Sequence, residues 1–295
     1  MKDKLSGVFV PTITPFEGDE VQYAKLEENL IKLNKSPITG HLALGSNGEY
    51  KSLTRDEQLK VLEVFVKNKG DKIIMAGTGC ESTAETIQFS KEAERIGADF
   101  VSALTPSYFK KIINDEVLIN YYTEVADNIN IPLLIYNAPG FTGGVTISAK
   151  AVRKLARHPN IVGMKDSSKA GIMSYITATM DIDDFYVLAG SINFFFTGLV
   201  CGAVGGVLSL SNAIPNLCCK LYNLYLNGKI EEAKHLHLKL FQVNGKVSGA
   251  NAVSGVKAAA SICGYFGGEP RKPLIPLSPE EKKELKEYFK QEGLI

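Results

Sequence analysis

Eight short apolar runs recur along the chain, separated by longer segments that have helical spacing. This alternation predicts an α/β fold, a (β/α)8 barrel of the TIM type with a C-terminal helical appendage. The runs are nearly continuous in apolar residues, which is typical of parallel strands buried on both faces, and eight units suffice to close a barrel. A doubly wound open sheet is the alternative, but the pattern shows no reversal point at which such a sheet would divide.

The predicted strands begin at Val8, His41, Lys72, Asp99, Pro132, Asn160, Phe185 and Gly202. Helical spacing is plainest over 26–33 (LEENLIKL) and 57–66 (EQLKVLEVFV). Thr54 with Glu57, and Ser82 with Glu85, have capping-box spacing, in which a hydroxyl and a carboxylate satisfy each other's orphan backbone donors. These pairs predict where two of the helices begin.

The alternation stops after about residue 226, and three helical segments follow. They are KIEEAKHLHLKLFQV, a small-residue stretch around SGANAVSGVKAAASICG, and a last helix that starts at Ser278 with Pro279 and Glu281 in favoured N-terminal positions. We therefore divide the chain into a barrel over residues 1–225 and a C-terminal helical region over residues 226–295.

Charge and cysteine content narrow the class of protein. The 295 residues include 33 Lys and Arg against 32 Asp and Glu, so no net field attracts nucleic acid or an anionic membrane, and neither partner is expected. The N-terminal apolar stretch is broken by prolines and acids, unlike a signal peptide, and no segment approaches the roughly 20 apolar residues that span a bilayer. Five cysteines without a CxxC pair predict a cytoplasmic protein with buried thiols.

In a closed α/β barrel the active site lies at the C-terminal ends of the strands. Lys165 ends the sixth run, and strand alternation places it on one face with Gly163 and Ile161. If that face is the barrel interior, the amine lies in an apolar tube above a glycine, where desolvation favours its neutral, nucleophilic form. The alternative is a surface lysine at a strand end, since most lysines are exposed.

Tyr136 ends the fifth run, PLLIY, and should lie beside Lys165 at the top of the barrel. A phenol next to a positive Schiff base can act as general acid and base on the substrate oxygen. The alternative is a structural tyrosine with its hydroxyl on a backbone carbonyl. Two such residues on adjacent strand ends are a stronger indication than either alone.

The loop after the second strand reads GSNGEY (45–50). Gly45 and Gly48 allow a tight backbone course, and Ser46 and Asn47 present donors that can hold a carboxylate. Taken alone the pattern is common turn chemistry, and it lacks the lysine of a phosphate-binding loop.

Metal chemistry has little support in the sequence. His235 and His237 are two apart on a predicted helix and therefore point to different sides, and no cluster of metal ligands is seen. Cys80 precedes a helix start, which can lower a thiol pKa, but without a histidine partner a bystander thiol is the better interpretation.

Taken in order, these junction motifs resemble the dihydrodipicolinate synthase and N-acetylneuraminate lyase family of pyruvate-dependent class I aldolases. The family's G(S/T)xGE loop resembles GSNGE, its TPxY segment TPSY (105–108), its YNxPxxTG segment YNAPGFTG (136–143), and its lysine context IVGMKDSS (161–168). The similarity covers nearly the whole chain, and four ordered motifs are far more specific than any one of them.

The resemblance implies that Lys165 forms the Schiff base and that Tyr136 transfers protons. Ser46 matches the family hydroxyl that links this tyrosine to a second one, and Tyr108 matches the second tyrosine, which usually comes from the neighbouring subunit. Tetramers are usual in the family, so a homotetramer is expected. The resemblance also implies a reaction that needs neither a metal nor an organic cofactor.

Other positions bear on the substrate. Asn47 replaces the more usual threonine, and Gly190 and Val207 match positions that line the pocket floor and touch the lysine. The lysine-pathway synthases have an arginine in YNxPGRTG that anchors a substrate carboxylate, whereas this chain has Phe141, which cannot make that ion pair. GSNGE, GTGCEST (77–83), HPNIVGMKDS (158–167) and GAVGGV (202–207) look most like the 4-hydroxy-2-oxoglutarate aldolase branch, which places a serine matching Ser167 near the lysine.

The expected reaction is therefore cleavage of 4-hydroxy-2-oxoglutarate to pyruvate and an aldehyde, glyoxylate. Within the family the alternatives are 4-hydroxy-tetrahydrodipicolinate synthase, despite Phe141, and an aldolase or dehydratase for a sugar-derived 2-keto-3-deoxy acid. A sensor that kept the barrel and lost catalysis is the non-enzyme alternative. A further alternative is an enzyme of another kind, a phosphate-binding barrel enzyme, because glycines follow strands seven and eight.

Overall fold

Eight parallel strands close a barrel in the computed structural model, which describes residues 1–168 and 171–295. Each strand pairs with the next along the chain, and the eighth pairs with the first. The strands are β1 Gly7–Pro11, β2 Gly40–Ala43, β3 Ile73–Gly77, β4 Phe100–Leu104, β5 Leu133–Asn137, β6 Ile161–Asp166, β7 Tyr186–Ala189 and β8 Gly205–Val207. The predicted (β/α)8 barrel is confirmed, and all eight predicted runs contain a strand.

One helix follows each barrel strand, and three more form the C-terminal region. The barrel helices are α1 Tyr23–Leu33, α2 Arg55–Lys67, α3 Thr83–Ile96, α4 Asp115–Asp127, α5 Ala149–Leu155, α6 Ile172–Thr179, α7 Phe195–Cys201 and α8 Pro215–Leu226. The C-terminal helices are α9 Ile230–Asn244, α10 Ala250–Ile262 and α11 Pro279–Gln291. Helix α8 ends one residue from the predicted boundary at residue 225; the division into two parts stays a prediction. No helix in the described ranges is long and apolar enough to cross a membrane.

The barrel interior is filled by one compact apolar cluster. Its buried members are Leu5, Phe9, Leu42, Met75, Phe100, Leu134, Val162, Leu188 and Val207. A larger cluster lies between the strands and the surrounding helices. The strands are buried on both faces, which explains why they appear in the sequence as continuous apolar runs.

The strand that bears Lys165 departs from simple alternation. The register between β5 and β6 shifts at Leu133 and Leu134, which pair with Ile161 and Gly163 and skip one residue. Val162 therefore joins the interior cluster, while Ile161 packs in the outer one. The prediction that Ile161 shares the interior face with Lys165 is wrong, because an irregularity of one residue exchanges the two faces of a strand.

The predicted helix starts are observed, with one difference. At α2 both capping-box bonds form between Thr54 and Glu57. At α3 the Ser82 hydroxyl accepts from the Glu85 N–H, but the Glu85 carboxylate pairs with Arg55 at 2.8 Å. A neighbouring guanidinium thus takes the carboxylate that the sequence pattern assigns to the cap.

The C-terminal helices are less regular than the sequence suggests. A π-helical turn, Gly245–Gly249, joins α9 to α10. Within the first turn of α10, Ala252 has φ 47° and ψ −133°, far from helical values. The predicted helix from Ser278 is confirmed, with both capping-box bonds to Glu281 present. The irregular segment lies at the C-terminal end of the barrel, where it contributes to the pocket described below.

Candidate active site

Lys165 and Tyr136 lie side by side at the C-terminal ends of β6 and β5. The two residues are register partners, and the Lys165 Nζ lies 4.0 Å from the centre of the Tyr136 ring. Each residue is only 5% exposed. Parallel pairing of adjacent strands brings the amine and the phenol together, as the sequence predicts.

The surroundings of Tyr136 lower the pKa of its phenol. Burial opposes ionisation, but it is outweighed by the charge of Lys165 and by hydrogen bonds with Ser46, Lys165 and Ser167, so that the pKa of Tyr136 lies below its ordinary value of 10.0. A phenol whose pKa is lowered by an adjacent amine is suited to exchanging protons with groups bound to that amine.

Two glycines make room for this pair. A Cβ on Gly163, below Lys165, would overlap the carbonyl oxygen of Tyr186 in β7. A Cβ on Gly190 would overlap the Ser167 hydroxyl and crowd the backbone of β6. The sequence predicts both glycines near the lysine, and the structure places Gly190 in the pocket wall.

A buried polar network holds the two strand ends in place, and sequence reasoning missed it. Asn137 follows Tyr136, and its side-chain amide donates to the Asp166 carboxylate at 2.8 Å. The backbone carbonyl of Asn137 accepts from the Ser167 N–H at 2.8 Å. The Asp166 carboxylate also accepts from the Ser168 hydroxyl at 2.9 Å. Burial raises the pKa of Asp166 despite these hydrogen bonds. The signal in the sequence is the position of both residues, each directly after a predicted catalytic residue.

The GSNGE loop forms a 3-10 turn, Ser46–Gly48, at the end of β2. As the first residues of this turn, Ser46 and Asn47 have backbone N–H groups without a partner inside the turn, which can donate to an anion. The Asn47 side chain donates to the Ser209 hydroxyl at 2.8 Å. Its amide is therefore held by the loop after β8 and contributes at most one further donor.

Glu49 in the same loop anchors the C-terminal region. Its carboxylate lies 2.6 Å from Lys257 Nζ, with side chains 2% and 1% exposed respectively, and it accepts from the Arg271 N–H at 2.9 Å. Desolvation lowers the pKa of Lys257 to about 8, although the Glu49 charge raises it. Neither residue is predictable from the sequence, since an ion pair between residues 208 positions apart leaves no local pattern.

A pocket of about 500 Å³ opens above Lys165 and Tyr136. It is lined by most of the predicted site residues, namely Ser46, Asn47, Tyr136, Phe141, Lys165, Ser167 and Gly190. Gly45 lines an adjoining cavity of about 10 Å³. Val207 lies in the interior apolar cluster instead of the pocket wall. Tyr108 lies outside the pocket of its own chain, 78% exposed, with its ring edge-on to Phe109.

The far wall of the pocket comes from residues that sequence reasoning missed. The C-terminal region, predicted from the sequence only as a helical appendage, contributes Asn244, Ser248, Ala252, Val253 and Leu274. Ser191 and Ser209 extend this wall from the loops after β7 and β8. The only local signal is that these loops begin at predicted strand ends.

Charged groups flank Tyr50 at another part of the wall. The Lys51 ammonium lies 5.1 Å from the centre of the Tyr50 ring. Burial opposes ionisation of Glu81, but N–H donation from Tyr108 and Ser107 outweighs it and lowers the Glu81 pKa.

Cys80 lines the same pocket, and the helix start after it does not lower its pKa. Burial raises the thiol pKa, although Arg55 lies 3.6 Å from the sulfur. Desolvation therefore outweighs any effect of the adjacent helix start. His235 is exposed and His237 is buried, on different sides of α9 as predicted. Over residues 1–168 and 171–295, no group of three or more His, Cys, Asp or Glu side chains could hold a metal ion.

A closed (β/α)8 barrel with a buried lysine against a tyrosine at its catalytic end has the architecture of a class I aldolase. The family model for the dihydrodipicolinate synthetase family matches residues 4–292. The chain belongs to this family and is a pyruvate-dependent lyase.

Relatives in the family carry two kinds of name. A probable mitochondrial 4-hydroxy-2-oxoglutarate aldolase of Emericella nidulans is 33% identical, over 97% of this chain and 94% of the relative. A 4-hydroxy-tetrahydrodipicolinate synthase of Thermodesulfovibrio yellowstonii is 35% identical, over 98% and 99%. Among solved structures, the prophage protein YagE of E. coli K12, of the dihydrodipicolinic acid synthase family and in complex with pyruvate, is 28% identical, over 98% and 99%, with a TM-score of 0.92.

Proposed function

We propose that the protein is a Schiff-base aldolase that cleaves 4-hydroxy-2-oxoglutarate to pyruvate and glyoxylate. The observation that carries the proposal is the buried contact of Lys165 Nζ with the Tyr136 ring at adjacent strand ends. Phe141, in place of the arginine of the lysine-pathway synthases, and the name of the Emericella relative support the choice of substrate.

In the proposed reaction, the neutral amine of Lys165 attacks the 2-oxo carbon, and loss of water leaves an iminium ion. The Tyr136 phenolate takes the proton of the 4-hydroxyl as the bond between carbons 3 and 4 breaks, and the electron pair moves into the iminium. Glyoxylate leaves, and the remaining enamine is protonated at carbon 3. Water then hydrolyses the imine, releasing pyruvate and the free lysine.

The groups that hold the first carboxylate are the backbone N–H groups and side chains of Ser46 and Asn47. The proposed role of Ser46 is supported by its place in the same pocket wall as Tyr136, whose pKa its hydroxyl lowers. Gly190 and Ser167 lie beside the lysine in the pocket wall. We further propose that Tyr108 acts in the pocket of a neighbouring subunit of a homotetramer, which its exposure on its own chain permits.

A second candidate is 4-hydroxy-tetrahydrodipicolinate synthase, because relatives with that name reach 35% identity. This reaction uses the same pyruvate enamine, so the Lys165 and Tyr136 roles are common to both candidates. The proposal also includes a cytoplasmic location, as the sequence predicts, whereas the Emericella relative is named mitochondrial.

The Schiff base is tested by incubating the protein with pyruvate and borohydride and mapping the adduct by peptide mass spectrometry. We expect one adduct, on Lys165, and none in Lys165→Met, a change that keeps an unbranched side chain. Lys51→Met, which removes the other lysine among the described lining residues, is the control. An adduct elsewhere, or none in the wild type, would contradict the mechanism.

The substrate is tested by assaying pyruvate release from a panel of 2-oxo acids. We expect cleavage of 4-hydroxy-2-oxoglutarate to be the fastest. Cleavage of a sugar-derived 2-keto-3-deoxy acid without cleavage of 4-hydroxy-2-oxoglutarate would overturn the proposed substrate and leave the mechanism standing. Condensation of pyruvate with aspartate semialdehyde at a higher kcat/KM would favour the synthase.

A further inference from the structure

We propose that the far carboxylate of the substrate is bound by uncharged hydrogen-bond donors, most of them on or beside the C-terminal region. These donors are Ser191, Ser209, Asn244 and Ser248, here called the distal donor wall. The inference rests on the proposed function, since it concerns the second carboxylate of a 2-oxo dicarboxylate. It assigns to the C-terminal region the role that an arginine in the place of Phe141 has in the lysine-pathway synthases.

The four side chains converge on the pocket from three parts of the chain. Ser191 and Ser209 follow β7 and β8, Asn244 ends α9, and Ser248 belongs to the π-helical turn. All four line the same pocket as Lys165. A substrate bound to Lys165 at carbon 2 could thus extend its other end towards these groups.

Hydrogen bonds already made within the wall leave it rich in donors. The Ser191 oxygen accepts from the Asn193 N–H at 3.2 Å, and the Ser209 oxygen accepts from the Asn47 amide at 2.8 Å. Each hydroxyl thus keeps its own hydrogen to donate. The Asn244 amide donates one hydrogen to the Asn193 side chain at 3.0 Å, which leaves the other. A carboxylate accepts hydrogen bonds and donates none. It therefore suits this wall better than the hydroxyl groups of a sugar-derived substrate do.

The backbone that presents Ser248 is irregular. The π-helical turn and the non-helical φ of 47° at Ala252 both occur where this segment reaches the pocket. π-helical turns and residues in sparsely populated backbone regions occur preferentially at functional sites. The nearby Val253 and Leu274 add apolar surface to the pocket wall, which strengthens hydrogen bonds by limiting access of water.

Among residues 1–168 and 171–295, the cations that line the pocket are poor alternative anchors. Among the described residues that line the pocket, the lysines are Lys165, which the reaction uses, and Lys51. Lys51 lies against the Tyr50 ring and interacts with the Glu81 charge. An adjacent carboxylate reduces its attraction for a second anion.

The experiment compares ligands that differ only in the far carboxylate. For binding, 2-oxoglutarate and 2-oxopentanoate compete with pyruvate for adduct formation; for turnover, 4-hydroxy-2-oxoglutarate is paired with 4-hydroxy-2-oxopentanoate. We expect the wild type to prefer the dicarboxylate of each pair. Asn244→Ala and Ser248→Ala should each reduce that preference by about tenfold, the usual effect of losing one hydrogen bond to a charged group. Asn244→Asp, which places a negative charge in the wall, should reduce it further.

Ser254→Ala is the matched control. Ser254 lies on α10 outside the pocket wall and donates to the Ile275 carbonyl at 2.8 Å, so its loss should leave the preference unchanged. Circular dichroism and the pyruvate adduct on Lys165 show whether each variant is folded and competent. If a variant lost binding or turnover equally for both ligands of a pair, or if the wild type showed no preference, the proposed role of the distal donor wall would be overturned. Absence of the pyruvate adduct from the wild type would instead overturn the proposed function itself.

Discussion

At the scale of single residues, the chemistry depends on Lys165 and Tyr136 and on what keeps them in contact. Strand alternation and strand order were enough to predict that the two side chains meet. The hydrogen bond between Asn137 and Asp166 was not predictable, because the sequence does not show which donors a buried carboxylate will meet. Each of the two residues directly follows a catalytic residue in the chain, and their hydrogen bond joins the two strand ends.

Replacing Tyr136 by Phe should lower kcat by a factor of about 10² to 10⁴, the range expected for loss of a general acid and base. The pyruvate adduct on Lys165 should still form, though more slowly, because the amine remains. Steady-state cleavage and borohydride trapping measure the two effects separately. Wild-type kcat in Tyr136→Phe would show that another group moves the proton.

Replacing Ser46 by Ala should move the pH profile of kcat/KM to higher pH. The Tyr136 pKa lies below 10.0, in part because Ser46 stabilises the phenolate, so removal of that hydrogen bond raises it. The limb of the profile that requires phenolate then appears at a higher pH than in the wild type. An unchanged or downward shift would contradict the assigned hydrogen bond.

Replacing Gly190 by Ala should destabilise the protein by about 1–3 kcal/mol, as overpacking of a filled site does, and reduce adduct formation. The new methyl group would overlap the Ser167 hydroxyl beside the lysine. Gly140→Ala in the YNAPGFTG segment is the control, because a Cβ there meets no heavy atom within 4 Å. Denaturant unfolding and the adduct assay should separate the two variants; equal stability would show that the backbone of β6 can yield.

At the scale of elements, the contact between the GSNGE loop and α10 joins the two parts of the chain. Glu49 and Lys257 form a buried ion pair, and Lys257 also donates to the Glu269 carbonyl at 2.8 Å. Loss of one partner of such a pair leaves an uncompensated charge in a dry environment. The contact therefore couples the loop that holds the substrate to the far wall of the pocket.

Replacing Lys257 by Met should destabilise the protein by about 3–5 kcal/mol, since Glu49 is then buried without its cation. For a chain of this size that corresponds to a fall in Tm on the order of 10 °C. The double variant Glu49→Gln with Lys257→Met should be more stable than Lys257→Met alone, because the unpaired charge is gone. A double variant as unstable as the single one would show that packing, and not charge, accounts for the loss.

At the scale of the whole molecule, the site is assembled from both ends of the chain. Tyr108 lies outside the pocket of its own chain, where a neighbouring subunit could bind. This residue is exposed, with its backbone N–H bound to the Glu81 carboxylate at 2.9 Å. Exposed apolar side chains lie close to it in sequence, Phe109 and Ile112 among them. The Tyr108 and Phe109 rings pack edge-on with centroids 5.0 Å apart, and exposed apolar patches are typical of protein interfaces.

If Tyr108 acts in a neighbouring subunit, two inactive variants should complement each other. Lys165→Ala lacks the amine, and Tyr108→Phe lacks the phenol that the partner needs. Co-expression of the two chains under different affinity tags should yield hybrid oligomers with activity that neither parent has. Hybrids as inactive as the parents, or a protein that is monomeric and fully active by analytical ultracentrifugation, would place Tyr108 outside the reaction.

The sequence by itself determined the barrel, its eight strands and the pair at the ends of β5 and β6. These features depend on the periodicity of apolar residues and on the order of neighbouring strands. Both can be predicted from consecutive residues of the chain. The tertiary structure decided the shift of register at Val162, the Glu49–Lys257 ion pair and the far wall from Asn244 to Leu274. Each depends on packing between strands or between segments distant along the chain, and only the folded state shows which groups face each other.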